Sequence, residues 1–399
     1  MKFVLIFSLS FFIYKCSENP LRTNLDHSTL RIDTLTISNM TAINYIVAPN
    51  LGTNERLYIG MKNGLDIDLS LIEIEDTPLW GFTHDTNIVI DSLHFVAYSE
   101  DSLLTDEIVP NLYFYPDSQF DENISTYLDF ESFSNTDWFD IGRPSINYNN
   151  DTSGIFQYTE LLWSIDTLLQ TLSDTLDSNL VRTFAIQFPD IDSNFIELFS
   201  EEATTGETDP KVIMYYRRTV DLGDSIRLDT LSGIIYSNGD LSIIKPNEII
   251  VDSNSIQLSN GMGLRSILQI PYEENTLLKG SVIRSANLIL PYDSIFTNLD
   301  YNVILDPIEN DSLVVDTVLV YEVDPYVNWG FPYRVSADIQ NGECILSVKD
   351  IMQNINLGNV NNLGFKILSN EKNDPFESIR FYVDETWSNS RLEIIYVSN

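Results

Sequence analysis

The chain of 399 residues carries 59 aspartates and glutamates against 22 lysines and arginines, so carboxylate oxygen is its most abundant reactive atom. Carboxylates ligate hard cations such as Ca2+, and in pairs they serve as acid and base on glycosidic bonds. The best linear match to a calcium loop is Asp190-Ile191-Asp192-Ser193-Asn194 with Glu201 at the twelfth position, which makes Asp190, Asp192, Asn194 and Glu201 the candidate metal ligands. Phe195 stands where the sharp turn calls for glycine, and Phe195 to Phe199 reads as a strand. Calcium would otherwise have to use another oxygen-rich loop, such as Asn149-Asn150-Asp151. The second chemistry is stacking, because the apolar face of a pyranose packs on an exposed ring. Trp80, Trp138, Trp329 and Trp387 lie in polar, turn-like contexts and are the candidate ligand-binding residues; the alternative is that they are structural rings closing the ends of a β-sandwich. Signs of nucleophilic or metal catalysis are few. His27, His84 and His94 are not spaced as metal ligands, there is no G-x-S-x-G elbow, and Gly261-Met262-Gly263 opens a strand rather than a phosphate-binding helix. Cys344, in Glu343-Cys344-Ile345-Leu346, reads as a core thiol.

The elements that must position these residues are strands. Short apolar runs alternate with polar residues and are punctuated by Asn, Asp, Ser and Gly, the pattern of sandwiches and barrels. Leu65, Ile67, Leu69 and Leu71 alternate with Asp66, Asp68 and Ser70, which predicts apolar side chains on one face and solvent-facing acids on the other. The chain also repeats itself. Ser70-Leu71-Ile72-Glu73-Ile74 matches Ser266-Ile267-Leu268-Gln269-Ile270, the strand around Ser92 matches that around Ser285, Ile196 to Phe199 matches Ile379 to Tyr382, and Lys211 to Tyr216 matches Arg391 to Tyr396. Leu161, Ile165, Leu168, Leu169, Leu172 and Leu176 are spaced for one helical face, and Val348, Ile351, Met352 and Ile355 make a shorter counterpart. The expected architecture is all-β: two tandem jelly-roll-like β-sandwiches, each with one covering helix, longer in the first. The expected boundaries are a polar linker at 17–35, a first domain at 36–217 and a second at 218–399.

Residues 1–16 form an apolar run closed by Lys15 and Cys16, a signal-peptide length rather than a membrane span. The cysteine followed by Ser17-Glu18-Asn19-Pro20 resembles a bacterial lipoprotein, which implies lipidation at Cys16 and attachment to the outer membrane or cell surface; plain cleavage into the periplasm or medium is the alternative. The repeat resembles the DNRLRE family of exported β-sandwich domains, related to carbohydrate-binding modules. The second copy carries the likeness, in Arg265 to Ile270, in Val282 to Leu290, in Leu363-Gly364-Phe365 and in Ser390 to Ile394; in the first copy Leu69 replaces Arg265 and Leu93 replaces Ala286. The resemblance implies a non-catalytic binding or adhesion module whose partner is a glycan or a surface protein. A structural or assembly subunit is the second reading and a carboxylate-based polysaccharide-active enzyme the third. A net charge of −37 disfavours nucleic acid, and membrane contact is expected only through lipid. Anionic glycans would need Ca2+ or a local basic patch, for which Lys211, Arg217 and Arg218 are the candidates.

Overall fold

A computed structural model describes residues 30–75, 78–100, 104, 109–116, 119–130, 138–150, 157–177, 180–189, 194–204, 207–246, 255–274, 276–292, 300–309, 319–383 and 390–398. In chain order the strands are β1 (Arg31–Ile37), β2 (Thr41–Val47), β3 (Arg56–Lys62), β4 (Leu65–Ile74), β5 (Ile88–Ser99), β6 (Asn111–Tyr115), β7 (Phe139–Gly142), β8 (Ser145–Asn150), β9 (Gln157–Ser164), β10 (Thr183–Gln187), β11 (Phe195–Phe199) and β12 (Lys211–Asp221). They continue with β13 (Ile226–Pro246), β14 (Ser255–Leu258), β15 (Leu264–Gln269), β16 (Val282–Pro291), β17 (Asn302–Pro307), β18 (Val320–Tyr321), β19 (Val335–Gln340), β20 (Glu343–Ser347), β21 (Phe365–Ser369), β22 (Ile379–Tyr382) and β23 (Arg391–Ser398). The fold is all-β. Among the described residues no helix is long and apolar enough to cross a membrane.

The strands build two sandwich bodies with separate cores. In the first, the order β7-β6-β10-β4-β13-β12-β5-β9-β8 runs from one sheet to the other through β13, a 21-residue strand whose second half pairs with β4 and first half with β12. Between them lies a core of Leu93, Phe95, Phe114, Trp163, Phe184, Val212 and their neighbours. The second body is ordered β1-β23-β16-β20-β19-β17-β21-β15-β2-β18 around Tyr272, Leu288, Tyr301, Phe365, Phe381 and Leu392. Alternation of apolar residues on paired strands suffices to fill such a space, since each strand turns every second side chain inward.

Two expected boundaries give way to the sheet pairings. A turn at Leu222–Ser225, closed by the Leu222 N–H to Ser225 O bond at 2.9 Å, leads β12 straight into β13, so residues 218–246 complete the first body rather than open the second. Conversely, β1 pairs with β23 and β2 with β15, so residues 31–47 belong to the second body, and 31–35 are strand rather than linker.

The helix expectations also change. Leu161 lies in β9, a 3-10 turn covers Asp166–Leu168, and only Leu169–Leu172 are α-helical. The second body's helix, Lys349–Asn356, forms where expected, burying Ile351, Met352 and Ile355, and is the longer of the two. Along β4 the apolar stripe is buried, but Asp66 and Asp68 are half-covered and Ser70 is fully buried. This strand is central, with protein on both faces.

One buried polar contact, found in both bodies, fixes how they correspond. In the first, the Ser70 hydroxyl donates to Tyr58 O at 2.8 Å and lies 2.9 Å from Ser242 Oγ, which accepts the Tyr58 N–H. In the second, Ser266 Oγ bonds Gln257 O and Asn44 Oδ1, and Asn44 Oδ1 accepts the Gln257 N–H at 3.0 Å. Ser70 therefore corresponds to Ser266, and Ser242 of β13 to Asn44 of β2, 198 residues earlier (242 − 44). The same offset carries along the strands: Ile235 opposite Val212 corresponds to Ile37 opposite Leu392. β1 and β2 are thus the counterpart of β13, interrupted at Ser38–Met40.

Candidate functional site

Of the tryptophans expected to form a stacking platform, the three that are described, Trp80, Trp138 and Trp329, are not brought together. Trp80 is fully buried, its indole N–H donating to Glu75 O at 3.1 Å and the Arg182 guanidinium 5.5 Å from its ring. Trp138 is half-buried against Tyr113 and Tyr115, ring centroids 5.6 Å away in each case. It belongs to an aromatic cover, with Phe120, Tyr127 and Phe130, over Leu69, Leu71, Ala185, Leu241 and Ile243 on the outer face of the first body. Trp329 packs edge-on against Tyr333 and donates its N–H to Ile308 O at 2.9 Å. Trp387 lies outside the described residues. Rings so placed close the ends and faces of sandwiches.

The candidate calcium loop fares similarly. Asp190 and Asp192 lie outside the described residues. Asn194 and Glu201 sit at opposite ends of β11, and a five-residue strand rises about 17 Å, so these two do not converge on one ion. The Asn194 carbonyl accepts the Met61 N–H, and the Glu201 N–H donates to Asp240 Oδ2 at 2.7 Å. Asn149 and Asn150 are the last residues of β8. Among the described residues no group of three or more His, Cys, Asp or Glu is placed to hold a metal. Cys344 is buried with its sulfur 3.8 Å from Ala337 O; burial, with Asp338 adding to it, pushes the thiol up to about 12, as a core role requires. Cys16 and His27 lie outside the described residues. Lys211 is buried 4.8 Å from the Tyr98 ring centroid and Arg217 is paired with Asp91 at 2.7 Å, so the expected trio, of which Arg218 is exposed, does not make a three-residue basic patch.

What the structure assembles instead is a cleft where the segment joining β2 to β3 crosses the outer face of the second body. Its lining includes Pro49, Asn50, Thr53 and Asn54 from that segment, Ser259 and Asn260 from the turn before β15, and Arg265, Asp324, Arg334, Lys366 and Glu371. The cavity holds about 240 Å3 and shares Asn50, Thr53, Arg265, Asp324 and Glu371 with a wider depression of about 650 Å3.

Strand alternation explains the floor. Leu268 and Ile367 point into the core, which turns Arg265 and Lys366, on the neighbouring strands β15 and β21, to the outer face. Asp324, on the loop between β18 and β19, receives them both. Arg265 bonds its Oδ2, Lys366 Nζ lies 3.1 Å from it, and Tyr45, opposite Arg265 on β2, donates its hydroxyl at 3.2 Å. Burial alone would raise the Asp324 pKa, but Arg265 and Lys366 reverse this and hold it below the usual aspartate value. Burial first, and the Asp324 charge second, drive the Tyr45 phenol far above its ordinary range, so it stays a neutral donor. At the rim Arg334 grips the buried Asp306 through two bonds of 2.8 and 2.9 Å while remaining half-exposed itself.

At the corresponding positions of the first body stand Leu69 for Arg265, Ala185 for Lys366 and Ile243 for Tyr45, all under the aromatic cover. The charged cleft is a property of the second body. Sequence pointed to Arg265 through its mismatch with Leu69, whereas Lys366 and Asp324 carried one usable signal each: a lysine inside Phe365-Lys366-Ile367-Leu368, and an acid before Pro325 in an apolar run.

No protein-family model matches the chain, and no curated protein does. Among solved structures, the C-terminal domain of the Streptococcus agalactiae AgI/II polypeptide BspA is similar at 9% identity over 90% of this chain and 91% of that one, with a TM-score of 0.15.

Proposed function

We propose that this protein is a non-catalytic binding module and that its ligand, a neutral glycan, sits in the cleft over the second body. The observation that carries the reading is the lining. Arg265, Arg334 and Lys366 are balanced by Asp324, Asp306 and Glu371, and amides and hydroxyls from Asn50, Asn54, Asn260 and Ser259 surround them. Carboxylate–guanidinium pairs held rigid by their own contacts present acceptors and donors side by side, which suits vicinal sugar hydroxyls. A cleft without excess positive charge, on a chain of net charge −37, offers an anion no attraction. The DNRLRE-like strands of this same body point to the same ligand class. With the lipoprotein-like start, the reading places the module on a cell surface, anchored at Cys16; labelling with a radioactive fatty acid, lost in Cys16→Ser, checks the anchor.

The test of the ligand is affinity electrophoresis across neutral and anionic polysaccharides, with Ca2+ and with chelator. A neutral polysaccharide is expected to retard the protein, and Arg334→Ala to weaken that retardation about tenfold, the cost of one or two hydrogen bonds to a charged group. Trp138→Ala is expected to leave it unchanged. Retardation that survives Arg334→Ala, or that appears only with anionic polysaccharide, overturns the assignment of the cleft.

A further inference from the structure

We infer that residues 31–47 are an exchangeable closing segment, and that the partner they fit is the second body of another copy of this chain. The inference rests on the order in which the chain supplies its strands. A tight turn after β12 delivers β13 onto β4, which completes the first body. That leaves β1 and β2, its counterpart, no place in the body they precede. They close the second body instead, and Arg31 pairs with Ser398.

Until this happens the second body is open. Ile37, Met40 and Ala42 are part of its core, and without them Leu268 and Ile394 lose cover. The Ser255 carbonyl, which accepts the Asn44 amide at 2.7 Å, loses that buried bond, and Asp324 loses the Tyr45 hydroxyl. The edges of β15 and β23 are bared together, a template for added strands. The open body is therefore a receptor whose shape, register and polar contacts select this segment and tolerate few others.

Nothing in that selection distinguishes the chain's own segment from a neighbour's. Every contact of β1 and β2 in the second body is the same in either case, as in domain swapping. Only the connection at 48–55 differs. It is anchored by Ala48 N–H to Tyr321 O at 2.8 Å, by Asn50 amide bonds to Glu122 O and Ser125 O, and by the buried Leu51. Fully extended, eight residues span about 27 Å, enough to join two molecules in contact. Because a tight turn delivers β13 to the first body while the second waits for β1 and β2, which the whole of the first body separates from it in sequence, closure of the second body is the slow step at which a neighbour competes. Reciprocal exchange gives a closed dimer; one-way exchange gives a head-to-tail chain.

Thr34 and Ile395 are direct partners across β1 and β23, at a separation that suits a disulfide. In a Cys16→Ser background, full-length chains carrying Thr34→Cys and Ile395→Cys singly are mixed, unfolded, refolded together in mild detergent and oxidised. The expected result is a covalent dimer of one chain of each kind, its yield rising with protein concentration, while a double variant refolded dilute closes within one chain. A control pairs Thr34→Cys with Leu176→Cys, a fully exposed position of the first body. A mixture that gives no more dimer than this control at any concentration overturns the inference. Should the double variant fail to close, light scattering on the unmodified refolded chain decides: a dimer that persists on dilution supports exchange, and monomer throughout overturns it.

Discussion

Asp324 ties together Tyr45, Arg265 and Lys366, side chains from three strands, and the energetics of that knot can be argued atom by atom. Its carboxylate is largely buried, and so is Lys366, which also donates to Tyr326 O at 3.0 Å. Removing one partner strands the other charges, whereas removing all of them together does not. Asp324→Ala is expected to cost about 3 kcal/mol in urea unfolding. The combination of Asp324→Ala with Arg265→Leu and Lys366→Ala, which copies the first body's residues, should cost less than the single change. Because the Asp324 pKa is lowered in the fold, its contribution is present above the unfolded aspartate value and is lost as pH falls through the folded one. Glu122 behaves oppositely. Burial first, then its hydrogen bond and repulsion with Glu202, raise it to about 7, and buried Asp240 is also raised, its Oδ1 without a hydrogen-bond partner among the described residues. Here the folded state keeps protons that the unfolded chain releases, so stability declines as pH rises from the ordinary glutamate value to about 7. Thermal unfolding followed across that range should show the decline, and Glu122→Gln should flatten it. None of these groupings was legible in the sequence: Asp324 and Lys366 are 42 residues apart, Glu122 and Asp240 farther still, and only the sheet order brings them together.

Strands were readable because alternation is local, and the repeat was readable because core strands of both copies keep similar residues. The helix expected at 161–176 shows where that reasoning gives way. Leu161, Trp163 and Ile165 follow a strand period, and Leu168 and Leu172 a helical one; spliced end to end they imitate a single apolar face, but Leu176 ends up almost fully exposed. A polar residue at a core position was the more telling signal. Asn44 in Ala42-Ile43-Asn44-Tyr45-Ile46 is buried because it bonds Ser255 O, the Gln257 N–H and the Ser266 hydroxyl. Asn44→Leu removes the buried bonds to the Ser255 carbonyl and the Gln257 N–H and is expected to cost about 1–3 kcal/mol in denaturant unfolding. Asn44→Ser, which reproduces the first body's Ser242, should recover part of that loss.

At the scale of the molecule the two bodies are interlocked: β1 and β2, which precede the first body, complete the second, and the bodies also touch directly. Phe376, from the loop between β21 and β22, packs on Tyr58 and Phe195 of the first body with ring centroids 5.0 Å away from each, and Lys62 lies over both phenylalanines. Gly261 sits in that contact, where a Cβ would come within 2.5 Å of Pro375 O and 2.7 Å of Leu65 Cδ1. A division by sequence similarity at 217/218 cuts through β12, parts it from β13 and leaves residues 31–47 on the wrong side. The sheets predict different behaviour for fragments. A chain of residues 48–246 keeps every described strand of the first body and should fold alone, with a single cooperative unfolding transition. A chain of 36–217 lacks β13, exposes Leu71, Ile72 and Val212 along two bared edges, and should aggregate. Residues 248–399 should stay unfolded by circular dichroism until a peptide of residues 31–47 is added, and that peptide carrying Asn44→Leu should rescue it poorly. A fragment 248–399 that folds without the peptide would mean that the second body closes with strands of its own, and β1 and β2 would then be a cover rather than a part of it.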